Sequence, residues 1–245
     1  FHLNLLGEDE LATLKLIFSA DSIVDKGAFF ELLEDSKRFS GNLASTLREN
    51  IYLKVIPLIS QGLQKQLFNK KNLTKEDLNK IYNLSLLILF RIIFIAYAED
   101  KDLLPYKNND LYKKHSLKSI SHELINFIKN KQLTFHESSI YWDGLKHLFN
   151  AVNYGHKGWN VPVYNGGLFS NEADNPFYCN EISNLKITDN YLAPALIKLL
   201  VDDGDQIGPV DFRSLGVKEF GNIYEGLIDS SLSIADHNLK SDKKG

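Results

Sequence analysis

The groups that could hold a metal or move a proton are spread through this 245-residue chain without the spacing such work needs. Its seven histidines form no His-Glu-x-x-His helix motif and no pair at metal-ligand spacing beside an acid. His136–Glu137 is a lone dipeptide and reads as a solvated helix start. Cys179 is the single cysteine, which excludes an internal disulfide and a cysteine-rich zinc site and suits a reducing cytosol. The acids of VDDGDQ (201–206) open like a calcium loop, but the closing glutamate is missing, so the stretch reads as an acidic turn. Phosphate-binding, dinucleotide and nucleophile-elbow motifs are all absent.

Two stretches come closer to chemistry. In NPFY (175–178), Asn175 and the aromatic match a tetrapeptide that grips an exocyclic amine and stacks on an extruded adenine. Its second proline is replaced by Phe177 and no glycine-rich strand-loop precedes it, so a surface turn is the expected state. The other is basic. Residues 101–158 hold nine Lys/Arg against five Asp/Glu, net +4, whereas 172–229 hold four against 11, net −7. Lys113, Lys114, Lys118 and Lys157 are therefore candidates for contacting a DNA backbone, where each neutralised phosphate releases counterions. The plainer alternative is a set of solvated helix faces.

The elements that must position these groups are mostly helices. Apolar content of 44% and charged content of 24% are ordinary for a soluble globular chain, and a net charge of −3 gives no whole-chain basic footprint. Leu11, Leu14 and Phe18 share one face of a helix over 8–19, and Asp21 is a plausible N-cap for the next. Leu43, Leu47, Ile51, Val55 and Leu58 line a long amphipathic stretch in which Pro57 predicts a kink or break. Two further amphipathic helices are expected near 116–130 and 137–151. From Asn153 the texture becomes glycine-, asparagine- and proline-rich, so 153–188 reads as irregular before helices resume. The last residues, HNLKSDKKG, read as extended or frayed. The expected fold is mainly α, a helical bundle around a buried central helix at about 75–98. Its expected parts are 1–152 and a loop-rich 153–245, or one continuous domain.

That central helix carries LILFRIIFIAYAEDKDLLPY (87–106). Thr74 and Asp77 approximate a capping box at its start, and Pro105 should stop it. Its apolar core, Leu84 to Ala98, is 15 residues, short of the roughly 20 that cross a bilayer. Arg91 in mid-span would cost a few kcal/mol in lipid. The run is expected to be protein core, with Arg91 paired to Glu99, Asp100 or Glu225.

Several phrases resemble one family. They are FRIIFIAYAEDKDLLPY (90–106), VPVYNGGLF (161–169), VDFRSLGVKEFGNIYEGLID (210–229) and the trailing DKKG. In this order they resemble the segment before the methyltransferase domain of type IIG restriction-modification enzymes and of related BREX phage-exclusion methyltransferases. The first and third phrases are specific as a pair, whereas YNGGLF alone is weak. The resemblance covers roughly residues 80–245, with mild departures at Ala96, Phe220 and Asn222. Its motif positions are Arg91, Glu99, Asp100, Gly166, Gly167, Gly221, Tyr224, Glu225 and Gly226.

The resemblance implies a catalytically inert helical connector in a longer cytoplasmic protein. The absence of methionine and the start at Phe1 also suggest a piece. A nuclease requiring Mg²⁺ would precede the connector in some members. An adenine-N6 methyltransferase using S-adenosylmethionine would follow beyond Gly245, with duplex DNA as the partner and no membrane. No catalytic, cofactor or metal residue is carried onto this chain. Gly221 and Gly226 are expected to mark tight packing or a helix end rather than a loosened surface helix. Ile223, Tyr224 and Leu227 would face the core or the next domain. The competing readings are a freestanding helical adaptor for protein or nucleic acid and an independent enzyme built around the 155–190 loop.

Overall fold

The computed structural model describes residues 7–24, 26–68, 73–170, 179–204, 206–228, 230–235 and 238–243. It is mainly helical, as expected, and divides into two compact units, Phe1–Thr46 and Leu47–Gly245. The expected division at 152/153 is not where the units part. Residues on either side of it share one core: the Phe149 and Phe169 rings lie 6.1 Å apart, and the Trp142 indole donates to the Leu185 carbonyl.

The first unit holds α1 (Glu8–Phe18), α2 (Ala20–Ile23) and the start of α3 (Ala28–Asn50). Helix α1 matches its periodicity, but Leu11 and Phe18 are 44% and 66% exposed. Asp21 is not a cap. It lies inside α2, preceded by Ser19, whose hydroxyl meets that of Ser22 at 2.7 Å.

In the second unit a π-helical turn (Ile51–Val55) leads into α4 (Ile56–Leu67). Pro57 cannot donate a hydrogen bond, and its ring crowds the preceding turn. The chain answers with the wider π turn, in which the Ile56 N–H bonds the Ile51 carbonyl five residues back. That turn also keeps the apolar stripe in phase. Leu47, Ile51, Val55, Ile59 and Leu63 are buried at steps of four, although α-helical steps of four drift around the axis. Ile59 thus takes the inward place that the sequence assigned to Leu58, which is half-buried.

Helix α5 (Lys75–Asp100) is the central helix. Its start is the expected capping box: the Asp77 N–H donates to Thr74 Oγ1 at 3.2 Å, and the Thr74 N–H donates to Asp77 Oδ2 at 2.9 Å. At 26 residues it is long and apolar enough to cross a membrane, yet most of its apolar surface is covered by protein. It ends before Pro105 acts. Asp102 adopts φ +59°, the Leu103 N–H reaches the Ala98 carbonyl and the Asp102 N–H reaches that of Glu99, which makes a Schellman turn. On α4, Ser60 meets Ser85 of α5 at 2.8 Å in an otherwise apolar contact.

Around α5 follow α6 (Asp110–His115), α7 (Leu117–Lys129) and α8 (Ile140–Tyr154), close to the two helices expected there. The described part of 153–188 is mostly turn, with a 3-10 turn at Lys157–Trp159 and α9 (Cys179–Ile182). Then come α10 (Asp189–Leu200), a short hairpin of β1 (Val201–Asp202) and β2 (Gly208–Pro209), and α11 (Val217–Ile228). The C-terminal tail is extended as anticipated, but it is paired. β3 (Ser230–Ala235) and β4 (Asn238–Lys243) form an antiparallel hairpin, with Ala235 opposite Asn238.

The two α11 glycines separate. A Cβ at Gly226 would overlap the Tyr52 hydroxyl, whereas one at Gly221 meets nothing within 4 Å. Gly226→Ala should therefore destabilise by about 1–3 kcal/mol and be rescued by Tyr52→Phe. Gly221→Ala should stabilise by about 0.5–1 kcal/mol, both changes being read by denaturant unfolding.

Candidate functional site

The three long motif phrases, scattered over 140 positions between residues 90 and 229, are packed against one another along the second half of α5. Phe94 lies edge-on to Phe169 and Tyr164, with centroids at 5.3 and 6.1 Å. Tyr97 meets Phe220 and Phe90 meets Tyr224, each at 5.2 Å. Tyr82, about two turns before Phe90, donates to the Leu227 carbonyl at 2.6 Å.

Arg91 is only 2% exposed. Its Nε donates to the Leu168 carbonyl at 2.8 Å, and its guanidinium carbon sits 5.4 Å from the ring centres of both Phe149 and Phe169. The expected pairing with Glu99, Asp100 or Glu225 is corrected. Glu99 and Asp100 are engaged one turn or more further on, and Glu225 is exposed on α11. A delocalised guanidinium tolerates a carbonyl and two aromatic faces better than a compact ammonium would. Gly166 and Gly167 stand in the turn that offers the Leu168 carbonyl, where the Gly166 carbonyl accepts from the Phe169 and Ser170 N–H groups. A Cβ at either glycine meets nothing within 4 Å among the described residues.

Glu99 is fully buried. Tyr112 of α6 donates to it at 2.7 Å, and the first two N–H groups of α7, from Leu117 and Lys118, reach it at 2.9 Å each. A carboxylate from α5 thus closes the N-terminus of α7, with Ser116 satisfying the Ser119 N–H at 3.1 Å. Burial raises the Glu99 carboxyl to about 7, and the three donors limit the rise. Burial, with the adjacent carboxylate, pushes the Tyr112 phenol far above its ordinary value, so it stays a donor. Asp100 takes the other side: it accepts the Phe212 N–H at 2.8 Å and pairs with Lys118 at 2.7 Å. Arg213 donates to the Asp100 carbonyl at 2.7 Å and to Asp102 at 2.9 Å. Lys107 first, and Arg213 with it, hold the Asp102 carboxyl below its usual range.

The same phrases leave an open apolar groove of about 370 Å³, walled by Phe90, Ile93, Phe94, Tyr97, Phe220 and Tyr224. Ile223 lines it and is buried, while Tyr224 is 48% exposed, so α11 presents one aromatic outward and seals the core with Ile223 and Leu227.

Of the basic candidates, Lys113, Lys114 and Lys157 are exposed. Trp159, between His115 of α6 and His156, stacks on the two imidazoles at 4.8 and 4.4 Å and so joins α6 to the 3-10 turn carrying Lys157. Lys118 is half-buried: its amine pairs with Asp100 at 2.7 Å and lies 4.9 Å over the Tyr106 ring, which the Lys113 amine also faces at 5.6 Å. The described residues of the 201–206 stretch run from β1 into an acidic turn toward β2, where Asp202 accepts from the Gly204 N–H at 3.1 Å and Asp203 pairs with Lys198 at 2.7 Å. Glu137 pairs with Lys65 on the surface. Asn175 and the rest of NPFY lie outside the described residues. Among the described residues no cluster of three potential metal ligands occurs.

One buried carboxylate escaped the sequence reading. Asp189, 3% exposed, accepts from the Ile140 and Tyr141 N–H groups at 2.9 and 3.1 Å and from the Ser138 hydroxyl at 2.7 Å, capping α8 from 49 residues away. Its only sequence signal is its place at the start of α10, which suggests a local cap rather than a distant one.

Glu99 yields a pH test. Its folded-state value lies above the ordinary glutamate range, so its contribution to stability is full below that range and is lost as pH rises through about 7. Wild type should gain about 2 kcal/mol between pH 8 and pH 5.5 from this group, measured by denaturant unfolding, and Glu99→Gln should lose that dependence. No protein-family model, curated protein or solved structure matches this chain.

Proposed function

We propose that this chain is the helical connector of an S-adenosylmethionine-dependent DNA adenine-N6 methyltransferase. The parent is of the single-chain restriction-modification or phage-defence kind and works in the cytoplasm. The connector itself is a scaffold and performs no chemistry; S-adenosylmethionine, and Mg²⁺ where a nuclease is fused, serve other parts of the parent.

The observation that carries this reading is the convergence of the three resembling phrases on one half of α5. Sequence likeness at separated positions gains weight when those positions form a single packed unit, because each phrase then needs the others. The inert part of the proposal rests on what the motif residues do. Arg91, Glu99 and Asp100 cap, brace and join elements inside the unit. The apolar groove with Tyr224 at its edge suits an adjoining domain of the same polypeptide. Lys113, Lys114 and Lys157 supply a cationic surface for duplex DNA bound by the parent.

Translation of the coding sequence beyond Gly245 should give a glycine-rich cofactor strand-loop and then an Asn-Pro-Pro-aromatic tetrapeptide. Their absence would favour the freestanding adaptor. The 1–245 chain alone should show neither methyl transfer nor DNA cleavage; either activity would sink the proposal. In the parent, K113A/K114A should reduce the magnitude of the log K against log salt slope for duplex DNA by about 2, and an unchanged slope would remove the cationic surface from the reading.

A further inference from the structure

Helix α11 has two apolar faces, and the described residues cover only one of them. Ile223 and Leu227 are buried, whereas Val217, Tyr224 and Ile228 are 85%, 48% and 44% exposed. With Gly221 these three follow steps of four, three and four, so they form one outward stripe. A helix face that is to stay wet normally carries polar residues. Gly221 sharpens the point. Glycine weakens a helix, and a Cβ there would meet nothing within 4 Å, so no contact among the described residues accounts for it.

The charges beside the stripe say what fits it. Lys218 and Glu225 lie on one flank, about two turns apart, and both are exposed. At about 10 Å along the axis they are too far apart to pair with each other. Among the described residues neither forms an ion pair with any other group. Their midpoint falls between Gly221 and Asn222. A second α11 running antiparallel and crossing at that midpoint sets Lys218 of each copy opposite Glu225 of the other. The same arrangement seats Val217 between Tyr224 and Ile228 of the second copy, and the bare Gly221 lets the two backbones approach closely. A parallel pair offers no such match, because the flank it would bring to Lys218 carries Phe220 and Leu227. A stripe with a base and an acid placed symmetrically about its centre is complementary to itself, as a twofold interface requires.

We propose that α11 is a dimerisation helix whose partner is the α11 of a second copy of this chain, packed antiparallel across Gly221. The proposal goes beyond the connector reading, and the floor of the neighbouring groove, at Phe90, Phe94 and Tyr97, stays open to an adjoining domain. Three exposed apolar side chains make a small contact, so the dimer is weak, with a Kd on the order of 50 µM. Sedimentation velocity of the 245-residue chain, loaded from about 1 to about 300 µM, should show a monomer passing into a dimer. Lys218→Glu and Glu225→Lys alter exposed side chains, so both variants should unfold at the wild-type Tm at the lowest loading. Each sets like charges against each other in both reciprocal contacts and should raise the Kd about tenfold. The exchanged chain K218E/E225K should return to within about twofold of wild type, which only a contact between copies in this register produces. Gly221→Leu should leave the monomer folded and abolish the dimer, since its side chain fills the crossing point. A chain that stays monomeric over the whole range overturns the proposal. So does a dimer that ignores the single reversals, or one that the exchange fails to restore.

Discussion

Two neighbouring carboxylates at the end of α5 hold the described second unit together. Glu99 points into the core and closes the first turn of α7, while Asp100 turns outward and fixes the backbone at Phe212 and the amine of Lys118. Both do what an exposed acid could not, because their partners are main-chain N–H groups that would otherwise be buried unpaired. Burying Glu99 is costly, and the cost is offset chiefly by three donors at the positive end of a helix, with a smaller contribution from the Lys118 charge. Moving either carboxylate would release α7, the 210–215 segment or both from α5.

Arg91 solves the opposite problem in the same helix. A buried cation within an apolar run needs oxygen or π density, and the turn at 166–170 supplies a carbonyl while two phenyl rings supply the faces. This explains why the phrase around Leu168 accompanies the phrase around Arg91. The dependence is physical, since removing the turn would take a buried acceptor from the Arg91 guanidinium.

The groove beside Tyr224 lies between α5 and α11, and the exposed Lys113, Lys114 and Lys157 lie on α6 and the 3-10 turn. On the proposed reading, a connector of catalytic modules needs rigid mounting points, and these would be α11, whose Gly226 admits Tyr52 closely, and α6, locked to the 3-10 turn through the histidine–tryptophan stack.

The sequence alone determined the helices whose signals are local. The Thr74–Asp77 capping box, the burial of 84–98 and the irregular texture after Asn153 could all be read from neighbouring residues. Pro57 was legible as a disturbance, but whether it would break the helix or force a π turn depended on what packs around it. Long-range pairings were decided only in three dimensions. A carboxylate near an arginine in sequence suggests an ion pair, yet Glu99 reaches a helix 18 residues on, Asp100 reaches Phe212 at a separation of 112, and Asp189 caps α8. Nothing in local composition encodes these distances. Nor does it tell Gly226, pressed by Tyr52, from Gly221, which faces open space. The alternation of a hairpin was likewise hidden in a polar tail, because strand pairing depends on a partner strand and on a surface to lie against.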